Sequence, residues 1–586
     1  MKSFFSVLWR ITRWLVFSVG IVAVVAIIAL VSAVSLGGGG PKLADRNYLM
    51  VNWSGGISET AGFDGLAALT GQPPLSVSNV VGLIDRAAGD PRIQSLVMDM
   101  SGIQISFAQA EEFAPAIQRF RATGKKAYAY AQSYDIRRYR LAVEFDEVWL
   151  LRSGTFDGSG PYFEAPFARN LLDTLGIEPQ FEKRKDFKNA LDSALETRMP
   201  SAMRDAMTAL ARDMDDAALQ AISQARQIGI DTLPAKLQAS LLNPAAALDQ
   251  GLVDRLAYPH DLDQTLDLPS VSIKKYAALS APSTGADIFA QSGDTPKRVA
   301  LITASGAITA SRQGGGFSQD GIAADRLTSD ILTASEDDSI DAILLRIDSP
   351  GGEYGASDMV RDALARSNKP VVVSMGSVAG SGGYLIAIGG DRIIAQPSTI
   401  TGSIGVIGGK FAAQRAFDKV GVNWEGIAIR DNTGLRSIKP FNTEQRAVFA
   451  ATIDTIYSEF VGAVATARSL SPEAAEAAAQ GRVWSGKQAL ALGLVDRLGG
   501  LSEARLELAA LLELDDPDNL HLIPYPKQNT VQQVLDALGN TPMILTEIGH
   551  IADGSRQLRT RPEAQVLIQQ IMQQPGAAYM TTPVFK

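Results

Sequence analysis

The chain has 586 residues and a formal net charge of −9 without a long basic run, which argues against nucleic acid as its main partner. It contains no cysteine, so disulfides, thiolate metal sites and a cysteine nucleophile are excluded. The three histidines, His260, His521 and His550, lie outside motif-like stretches, which weakens a Ser-His-Asp triad without excluding one. We predict no bound metal and no organic cofactor.

The N-terminal segment 14–36 is uncharged and mostly aliphatic. As a helix it would be about 35 Å long, enough to cross a bilayer. Lys2, Arg10 and Arg13 precede it, so we predict a single-pass anchor with residues 1–13 in the cytoplasm and the rest of the chain exported. A signal peptide cleaved near the small residues 33–35 is the alternative.

An internal repeat organises the rest of the chain. The segment Gly251-Leu-Val-Asp-Arg-Leu256 recurs letter for letter at Gly493 to Leu498, and weaker echoes occur at similar offsets. Repeats of this kind indicate duplicated structural units. We therefore predict two related domains, 45–267 and 297–505, joined by a Ser-, Ala-, Pro- and Gly-rich linker, 268–296, and followed by a C-terminal extension, 506–586, of no assigned role.

Each predicted domain alternates apolar strands with amphipathic helices, which is typical of α/β layers. The continuous apolar runs favour buried parallel strands. The predicted strands are 48–53, 95–100 and 126–131 in the first domain and 299–303, 342–347 and 370–375 in the second.

Two glycine-rich loops follow predicted strands of the second domain, at Asp348-Ser-Pro-Gly-Gly352 and Gly376-Ser-Val-Ala-Gly-Ser-Gly-Gly-Tyr384. The carboxyl ends of parallel strands are where α/β proteins place their sites. The amides of Gly351, Gly352 and Gly382 are candidates for an oxyanion hole, and Ser381 is the candidate nucleophile. Simple glycine turns are the alternative, and neither loop has the spacing of a phosphate-binding or dinucleotide-binding motif.

Together with Thr401-Gly-Ser-Ile-Gly405, these loops resemble the signature loops of the signal peptide peptidase A family, also called protease IV or peptidase family S49. The resemblance covers roughly residues 45–505 and includes the duplication. It implies tandem crotonase-like or Clp-protease-like domains and a Ser-Lys dyad that degrades apolar signal peptide remnants. It also implies a bacterial inner-membrane protein with periplasmic catalytic domains, assembled as a homotetramer.

The same resemblance points to a lysine as general base. The family pattern Tyr-Lys-Ser-Ala is matched by Phe187-Lys-Asn-Ala190, with phenylalanine for tyrosine and asparagine for serine, so Lys188 takes the role. The rivals Lys183 and Lys185 fit a solvated basic cluster with Arg184. Lys439 is the alternative base, since shorter members carry the lysine in the same domain as the serine. By resemblance, Ser403 orients the lysine; a simple turn serine is the alternative.

Comparing the two repeats indicates a composite site. Aligning Tyr139 with Tyr384 puts Ile136 opposite Ser381, so the first half lacks a nucleophile. Aligning Asp146 with Asp391 puts Thr433 opposite Lys188, so the second half lacks the lysine. We therefore expect one site that takes its base from the first half and its nucleophile from the second.

Two other functions remain open at this stage. A crotonase-like acyl-CoA enzyme would use the same fold and backbone oxyanion donors, although an exported chain would not meet cytoplasmic coenzyme A. A non-catalytic scaffold for membrane-protein quality control is the second, because the first half has already lost a nucleophile.

Overall fold

The computed structural model describes residues 43–60, 75–237, 241–280, 296–311, 321–427, 429, 434–526 and 578–581. The predicted anchor 14–36 lies outside these residues, as do His550 and Thr433.

The strands of the first half are β1 (Asn47–Val51), β2 (Gly55–Gly56), β3 (Ile93–Asp99), β4 (Ile103–Gln104), β5 (Lys126–Tyr134), β6 (Glu147–Phe156), β7 (Glu178–Arg184), β8 (Arg255–Ala257) and β9 (Ser270–Ser272). Those of the second half are β10 (Lys297–Ser305), β11 (Ile308–Thr309), β12 (Ile322–Ala323), β13 (Ala342–Ser349), β14 (Gly351–Glu353), β15 (Val371–Gly380), β16 (Arg392–Ala395), β17 (Ile400–Gly402), β18 (Val406–Ala412), β19 (Val483–Ser485), β20 (Arg497–Leu498), β21 (Leu520–Pro524) and β22 (Ala578–Thr581).

The helices of the first half are α1 (Val77–Gly89), α2 (Phe107–Ala122), α3 (Ile136–Ala142), α4 (Arg169–Leu175), α5 (Asp192–Leu195), α6 (Ser201–Arg226), α7 (Leu233–Leu237), α8 (Pro244–Asp249), α9 (Pro259–Leu266) and α10 (Ile273–Ser280). Those of the second half are α11 (Ala324–Glu336), α12 (Tyr354–Ala365), α13 (Gly382–Ala387), α14 (Gln414–Lys419), α15 (Thr443–Arg468), α16 (Pro472–Ala478), α17 (Gly486–Ala491) and α18 (Leu501–Leu511).

The two halves contain parallel sheets of the same strand order. The first sheet runs β8-β6-β5-β3-β1-β9, and the second contains the equivalent path β20-β16-β15-β13-β10-β21. All the predicted strands are present, and most extend beyond their predicted ends. Their central residues are apolar and almost fully buried, as expected for strands covered by helices on both faces. The predicted α/β duplication is therefore confirmed.

The segments predicted as a linker and as a C-terminal extension both contribute to these sheets. Within 268–296, strand β9 pairs with β1, and helix α10 buries Ile273 and Tyr276 against the first core. Within 506–586, strand β21 pairs in parallel with β10. The linker prediction is thus wrong for residues 270–280, and the repeat continues to Pro524. Short apolar edge strands within polar stretches carry too little periodicity to be recognised.

A third sheet joins the two halves. Its order is β12-β11-β14-β22-β18-β7, and β7 from the first half pairs antiparallel with β18 from the second along seven residues. Helix α2 of the first half also packs on strand β15 of the second half. These two contacts fix the halves against each other on either side of the predicted nucleophile.

Helix α15 is the one helix in the described part of the chain whose length and apolar composition would suit a membrane span. Its buried residues Phe449, Ile453, Tyr457, Phe460 and Val464 recur every three or four positions and pack into the core of the second half. This spacing is typical of an amphipathic helix that covers one face of a domain.

Candidate active site

Ser381 lies at the turn between β15 and α13 and is fully buried. Its amide donates to the Gly402 carbonyl at 2.7 Å, and its backbone has φ 54° and ψ −115°. A residue with a side chain rarely adopts a positive φ, and such strain tends to occur at functional sites. The turn holds the hydroxyl between the end of β15 and the start of β18.

Lys188 reaches this hydroxyl from the first half of the chain. It follows β7, whose pairing with β18 brings the segment across to the second half. Its Nζ lies 2.7 Å from Ser381 Oγ, 2.9 Å from the Ser403 carbonyl oxygen and 3.1 Å from Ser403 Oγ. The structure therefore brings Lys188 together with Ser381 and Ser403, which follow it in the sequence by 193 and 215 positions.

The environment of Lys188 favours a neutral amine. The side chain is completely buried, and burial lowers its pKa well below the usual value. No carboxylate in the described structure forms an ion pair with it, so no opposite charge offsets the loss of solvation. A neutral amine can donate its two hydrogens to the carbonyl and hydroxyl of Ser403, which leaves the nitrogen lone pair for the proton of Ser381.

A left-handed turn holds Ser403 in place beside the lysine. Its φ is 52°, and its amide donates to the Arg482 carbonyl at 2.7 Å. The neighbouring Gly481 approaches Lys188 so closely that a Cβ there would lie 2.6 Å from the lysine Cα. Only glycine fits this position, which fixes the lysine backbone against the second half.

The candidate oxyanion donors divide into two groups. The Gly351 amide donates to Ser349 Oγ at 3.1 Å. This N–H is therefore already engaged, in contrast to its predicted role as an oxyanion donor. A Cβ on Gly382 would lie 3.1 Å from the Gly352 nitrogen, so these two glycines lie side by side next to Ser381. Gly352 and Gly382 therefore remain the candidate oxyanion donors beside Ser381.

The rival lysines lie elsewhere. Lys183 Nζ donates to the buried Asp192 at 2.8 Å, and Lys185 pairs with Glu476 at 2.8 Å. They are paired individually and do not form the predicted solvated cluster. Lys439 is exposed, and its carbonyl accepts a hydrogen bond from Lys410.

The described histidines are also separate from the serine. His260 is exposed and stacks on Tyr258, and His521 lies in β21 at the edge of the second sheet. In the described residues, the basic hydrogen-bond partner of Ser381 Oγ is Lys188, and neither of these histidines is among its partners.

An aromatic and cationic stack supports the lysine segment. The Arg482 guanidinium lies between the rings of Phe187 and Trp484, at 5.0 and 4.4 Å from their centroids. Phe187 is one of the two departures from the family pattern. The other, Asn189, donates to Asp192 at 2.5 Å. Both substituted residues therefore have structural partners, and the segment around Lys188 is anchored on both sides.

A buried charge cluster on β13 was not predicted. Arg346 of β13 forms a bidentate pair with Glu59, at 3.0 Å to both oxygens, and a further pair with Glu112 at 2.9 Å. The side chains of all three are at most 2% exposed. Both carboxylates come from the first half, while β13 leads directly into the Gly351–Gly352 loop. An arginine inside an otherwise apolar strand was the signal that could have revealed the cluster.

Known proteins match this chain over most of its length. The model of peptidase family S49 matches twice, at residues 119–269 and 363–515, and the Clp protease model matches residues 315–401. Protease 4 of Salmonella typhi is 31% identical over 493 residues, covering 80% of this chain and 78% of that protein. Protease 4 of Haemophilus influenzae is 30% identical, covering 80% of each chain. The chloroplastic serine protease SPPA of Arabidopsis thaliana is 28% identical, covering 72% of this chain and 63% of the plant protein.

The fold and these matches define a serine-type protease with Clp-protease-like α/β domains. The chain belongs to peptidase family S49, in the duplicated form that contains two copies of the family unit. The protease prediction is therefore confirmed. The acyl-CoA and scaffold alternatives gain no support from the matches.

Proposed function

We propose that this protein is a membrane-anchored endopeptidase in which Ser381 is the nucleophile and Lys188 the general base. The observation that carries the proposal is the 2.7 Å contact between Lys188 Nζ and Ser381 Oγ inside a fully buried site. The distance is within reach of direct proton transfer, and the lowered pKa supplies the neutral amine that the transfer requires.

The reaction proceeds through an acyl-enzyme. Lys188 takes the hydroxyl proton as Ser381 Oγ attacks the scissile carbonyl, and the amides of Gly352 and Gly382 stabilise the oxyanion. The ammonium then protonates the leaving amine, and the C–N bond breaks. A water molecule, deprotonated by the same lysine, hydrolyses the ester. Ser403 keeps the amine directed at the serine throughout.

The natural substrates we propose are apolar signal peptide remnants, and the proposed location is the periplasmic side of the bacterial inner membrane. The uncharged segment 14–36 after Lys2, Arg10 and Arg13 supports the anchor. Assembly into a homo-oligomer, a tetramer by family resemblance, belongs to the same proposal. An apolar fluorogenic peptide should be cleaved in preference to a charged one of the same length, and the reverse preference would contradict the substrate class.

The dyad is tested with matched lysine variants of the full chain. Ser381→Ala and Lys188→Met should each lower kcat/KM by about 10⁴-fold or more, because each removes a group that acts in every step. Lys439→Met is the control, since that lysine is exposed, and it should retain parental activity. Full activity in Lys188→Met, with loss in Lys439→Met, would move the base to Lys439.

The parental rate should also depend on pH in one direction. Burial lowers the lysine pKa, and the protonated amine cannot accept a proton, so activity should rise with pH through that lowered pKa and then level off. A profile that falls as the pH rises through neutrality would contradict a lysine base.

The orienting role of Ser403 is tested by Ser403→Gly and Ser403→Ala. Both remove the hydroxyl 3.1 Å from Lys188 Nζ, and glycine tolerates the positive φ that strains alanine. We expect kcat to fall about 10-fold in both, which is less than the roughly 10²–10⁴-fold that general acid–base catalysis contributes as a whole, because the lysine stays in place and loses only its alignment. The rising limb of the pH profile should move to lower pH, because an acceptor of the ammonium is lost. An unchanged limb and kcat in Ser403→Gly would mean a simple turn serine.

A further inference from the structure

Strand β15 bulges just before the candidate nucleophile. It pairs regularly with β13 as far as Met375 and again at Ala379, so its residues 376–378 lie opposite the single residue Asp348. Bulged residues leave the regular ladder and need other hydrogen-bond partners, and bulges are frequent next to active sites. Ser381 follows three residues later. The shape of the bulge therefore decides where the turn at Ser381 begins.

The side chain of Asp348 provides partners for this bulge. Its Oδ1 accepts the Val378 amide at 2.8 Å, and its carboxylate also accepts a hydrogen bond from the Ser377 amide. A Cβ on Gly376 would lie 3.0 Å from the Asp348 Cβ, so the third residue of the bulge packs closely against the same side chain. One aspartate thus holds all three bulged residues.

Asp348 also leads into the loop of the candidate oxyanion donors. Its carbonyl accepts from the Gly306 amide at 2.9 Å, and the hydroxyl of the next residue, Ser349, donates to the Gly306 carbonyl at 2.7 Å. Gly352 follows three residues after Ser349. The backbone of Asp348 therefore fixes the start of the loop that contains Gly352, while its side chain fixes the segment before Ser381.

Charged residues from both halves surround this carboxylate. Arg346, two residues earlier on β13, attracts it, and Arg346 is itself paired with Glu59 and Glu112 of the first half. Burial raises the pKa of Asp348, and the backbone hydrogen bonds and Arg346 oppose this rise. A Cβ on Gly376 would also lie 3.1 Å from Glu59 Oε1, so the first half reaches the bulge directly.

The first half has a shorter, neutral side chain at the equivalent position. Ala127 and Val371 are equivalent, because each donates its amide to an aspartate side chain at the same place in its sheet. Their pairings with the neighbouring strands make Ser101 the counterpart of Asp348. Ser101 Oγ accepts the Gln132 amide at 3.0 Å. The carboxylate therefore occurs in the half that contains the nucleophile.

We propose that Asp348 is a positioning residue of the active site, whose carboxylate fixes the bulge of β15 and thereby places Ser381 against Gly352. The inference rests on the proposed function, because it takes Ser381 as the nucleophile. Asp348 acts through the backbone and contacts no reacting atom. Its effect on the rate is geometric, and a displacement of about 1 Å at a reacting group costs about 10²-fold in rate.

The test compares Asp348→Leu with Asp348→Asn in the full chain. Leucine fills a similar volume without an acceptor, whereas asparagine keeps a carbonyl oxygen for the Val378 amide. With an apolar fluorogenic peptide, Asp348→Leu should lower kcat about 100-fold and leave KM within about twofold, because alignment matters in the transition state. Asp348→Asn should restore kcat to within about 10-fold of the parent, since a neutral acceptor makes a weaker bond than a carboxylate.

The matched control is Ser101→Ala in the first half. It removes the acceptor of the Gln132 amide at the equivalent position, where no candidate catalytic residue follows. Both kcat and KM should equal the parental values. A loss of kcat as large as that of Asp348→Leu would overturn the proposal, because any lost bond of this kind would then disturb the site.

A further variant covers the case in which Asp348→Leu does not fold. Asp348→Ser introduces the residue that the first half uses at this position, and its shorter side chain cannot hold both amides of the bulge. We expect kcat to fall about 10-fold or more at unchanged KM. Parental kcat in a folded Asp348→Leu, or in Asp348→Ser in its place, would overturn the proposal while the dyad stands.

Hydrogen exchange provides a readout that does not depend on turnover. In the Ser381→Ala background, adding Asp348→Leu should speed exchange of the amides of residues 377 and 378, and adding Asp348→Asn should speed it less. Unchanged exchange in both would show that Asp348 does not hold the bulge and would overturn the proposal. Parental activity in Ser381→Ala would instead remove the proposed function, and this inference with it.

Discussion

The two halves of the chain contain the same supporting bonds and different active-site loops. Tyr139 donates to the Leu252 carbonyl at 2.5 Å in the first half, and Tyr384 donates to the Leu494 carbonyl at 2.8 Å in the second. Both carbonyls belong to the repeated Gly-Leu-Val-Asp-Arg-Leu segment. The repetition of that segment is therefore explained by a structural task that each half performs for itself.

The aspartate of the repeated segment confirms this interpretation. In the first half Asp254 accepts from the Val148 amide at 2.7 Å and pairs with Arg226 at 2.8 Å. In the second half Asp496 accepts from the Ile393 amide at 2.7 Å and pairs with Arg468 at 2.7 Å. Each arginine ends a helix of 26 residues. One aspartate thus joins a strand to the long helix in both halves.

The turns at the equivalent site positions differ. Asp135, which precedes Ile136, is an extended N-cap with φ −100°, and its side chain accepts from the Arg138 amide. Ser381 stands at the matching turn with φ 54° and no side-chain cap bond. The first half has a relaxed helix start where the second has a strained one. The strained turn therefore accompanies the serine of the second half, and the first half, which lacks that serine, has a relaxed turn.

The strongest test of the difference between the halves is to place a serine at the equivalent position of the first half. The double variant Ile136→Ser, Ser381→Ala should remain about 10⁴-fold below the parent in kcat/KM, like Ser381→Ala alone. A hydroxyl at position 136 would lack a lysine partner, and the turn there has ordinary backbone angles. Peptide hydrolysis by the purified double variant measures this. Recovered activity would show that the first half retains a usable site.

The buried cluster tests whether the halves depend on each other. Glu59→Ala should lower the free energy of unfolding by about 3–5 kcal/mol, because it leaves Arg346 with one of its two buried carboxylates. Asp362→Ala removes an exposed pair with Arg366 and should change stability by less than about 1 kcal/mol. Chemical denaturation measures both. Equal losses would mean that the cluster contributes no more than a surface pair.

The same cluster predicts a pH dependence. Burial, opposed by Arg346, raises the pKa of Glu59 from 4.5 to about 6. Because the folded protein holds the Glu59 proton up to a higher pH than the unfolded chain does, protonation of Glu59 stabilises the folded state. This stabilisation is fully present below pH 4.5 and is lost as the pH rises through about 6. The stability of the parent relative to Glu59→Gln should therefore fall over that interval. A rise would contradict the direction of the shift.

The smallest expected effect sharpens the comparison most. Tyr139→Phe and Tyr384→Phe each remove one buried hydrogen bond, and each should cost about 1 kcal/mol of stability. Only Tyr384→Phe should also lower kcat, because Tyr384 belongs to the helix that follows Ser381. Thermal unfolding and peptide kinetics on the two purified variants separate these effects. A similar loss of kcat in both would mean that the first half supports the site more directly.

Much of the fold was predictable because it depends on local patterns. Continuous apolar runs marked the central strands, and the letter-for-letter repeat marked the duplication. The edge strands β9 and β21 and the interior strand β22 were missed, because such short strands lack a distinctive periodicity. The antiparallel pairing of β7 with β18 was also missed, since it joins segments more than 200 residues apart.

By itself, the sequence determined the candidate chemistry: a serine in a glycine-rich turn, a family pattern that singled out Lys188, and two halves that each lacked what the other kept. Only the tertiary structure decided that Lys188 Nζ lies 2.7 Å from Ser381 Oγ, that Gly351 is engaged by Ser349, and that Glu59 and Glu112 balance Arg346. The physical reason is that hydrogen bonds and burial depend on distances in space. Those distances arise when two halves pack together, and no local pattern of residues encodes them.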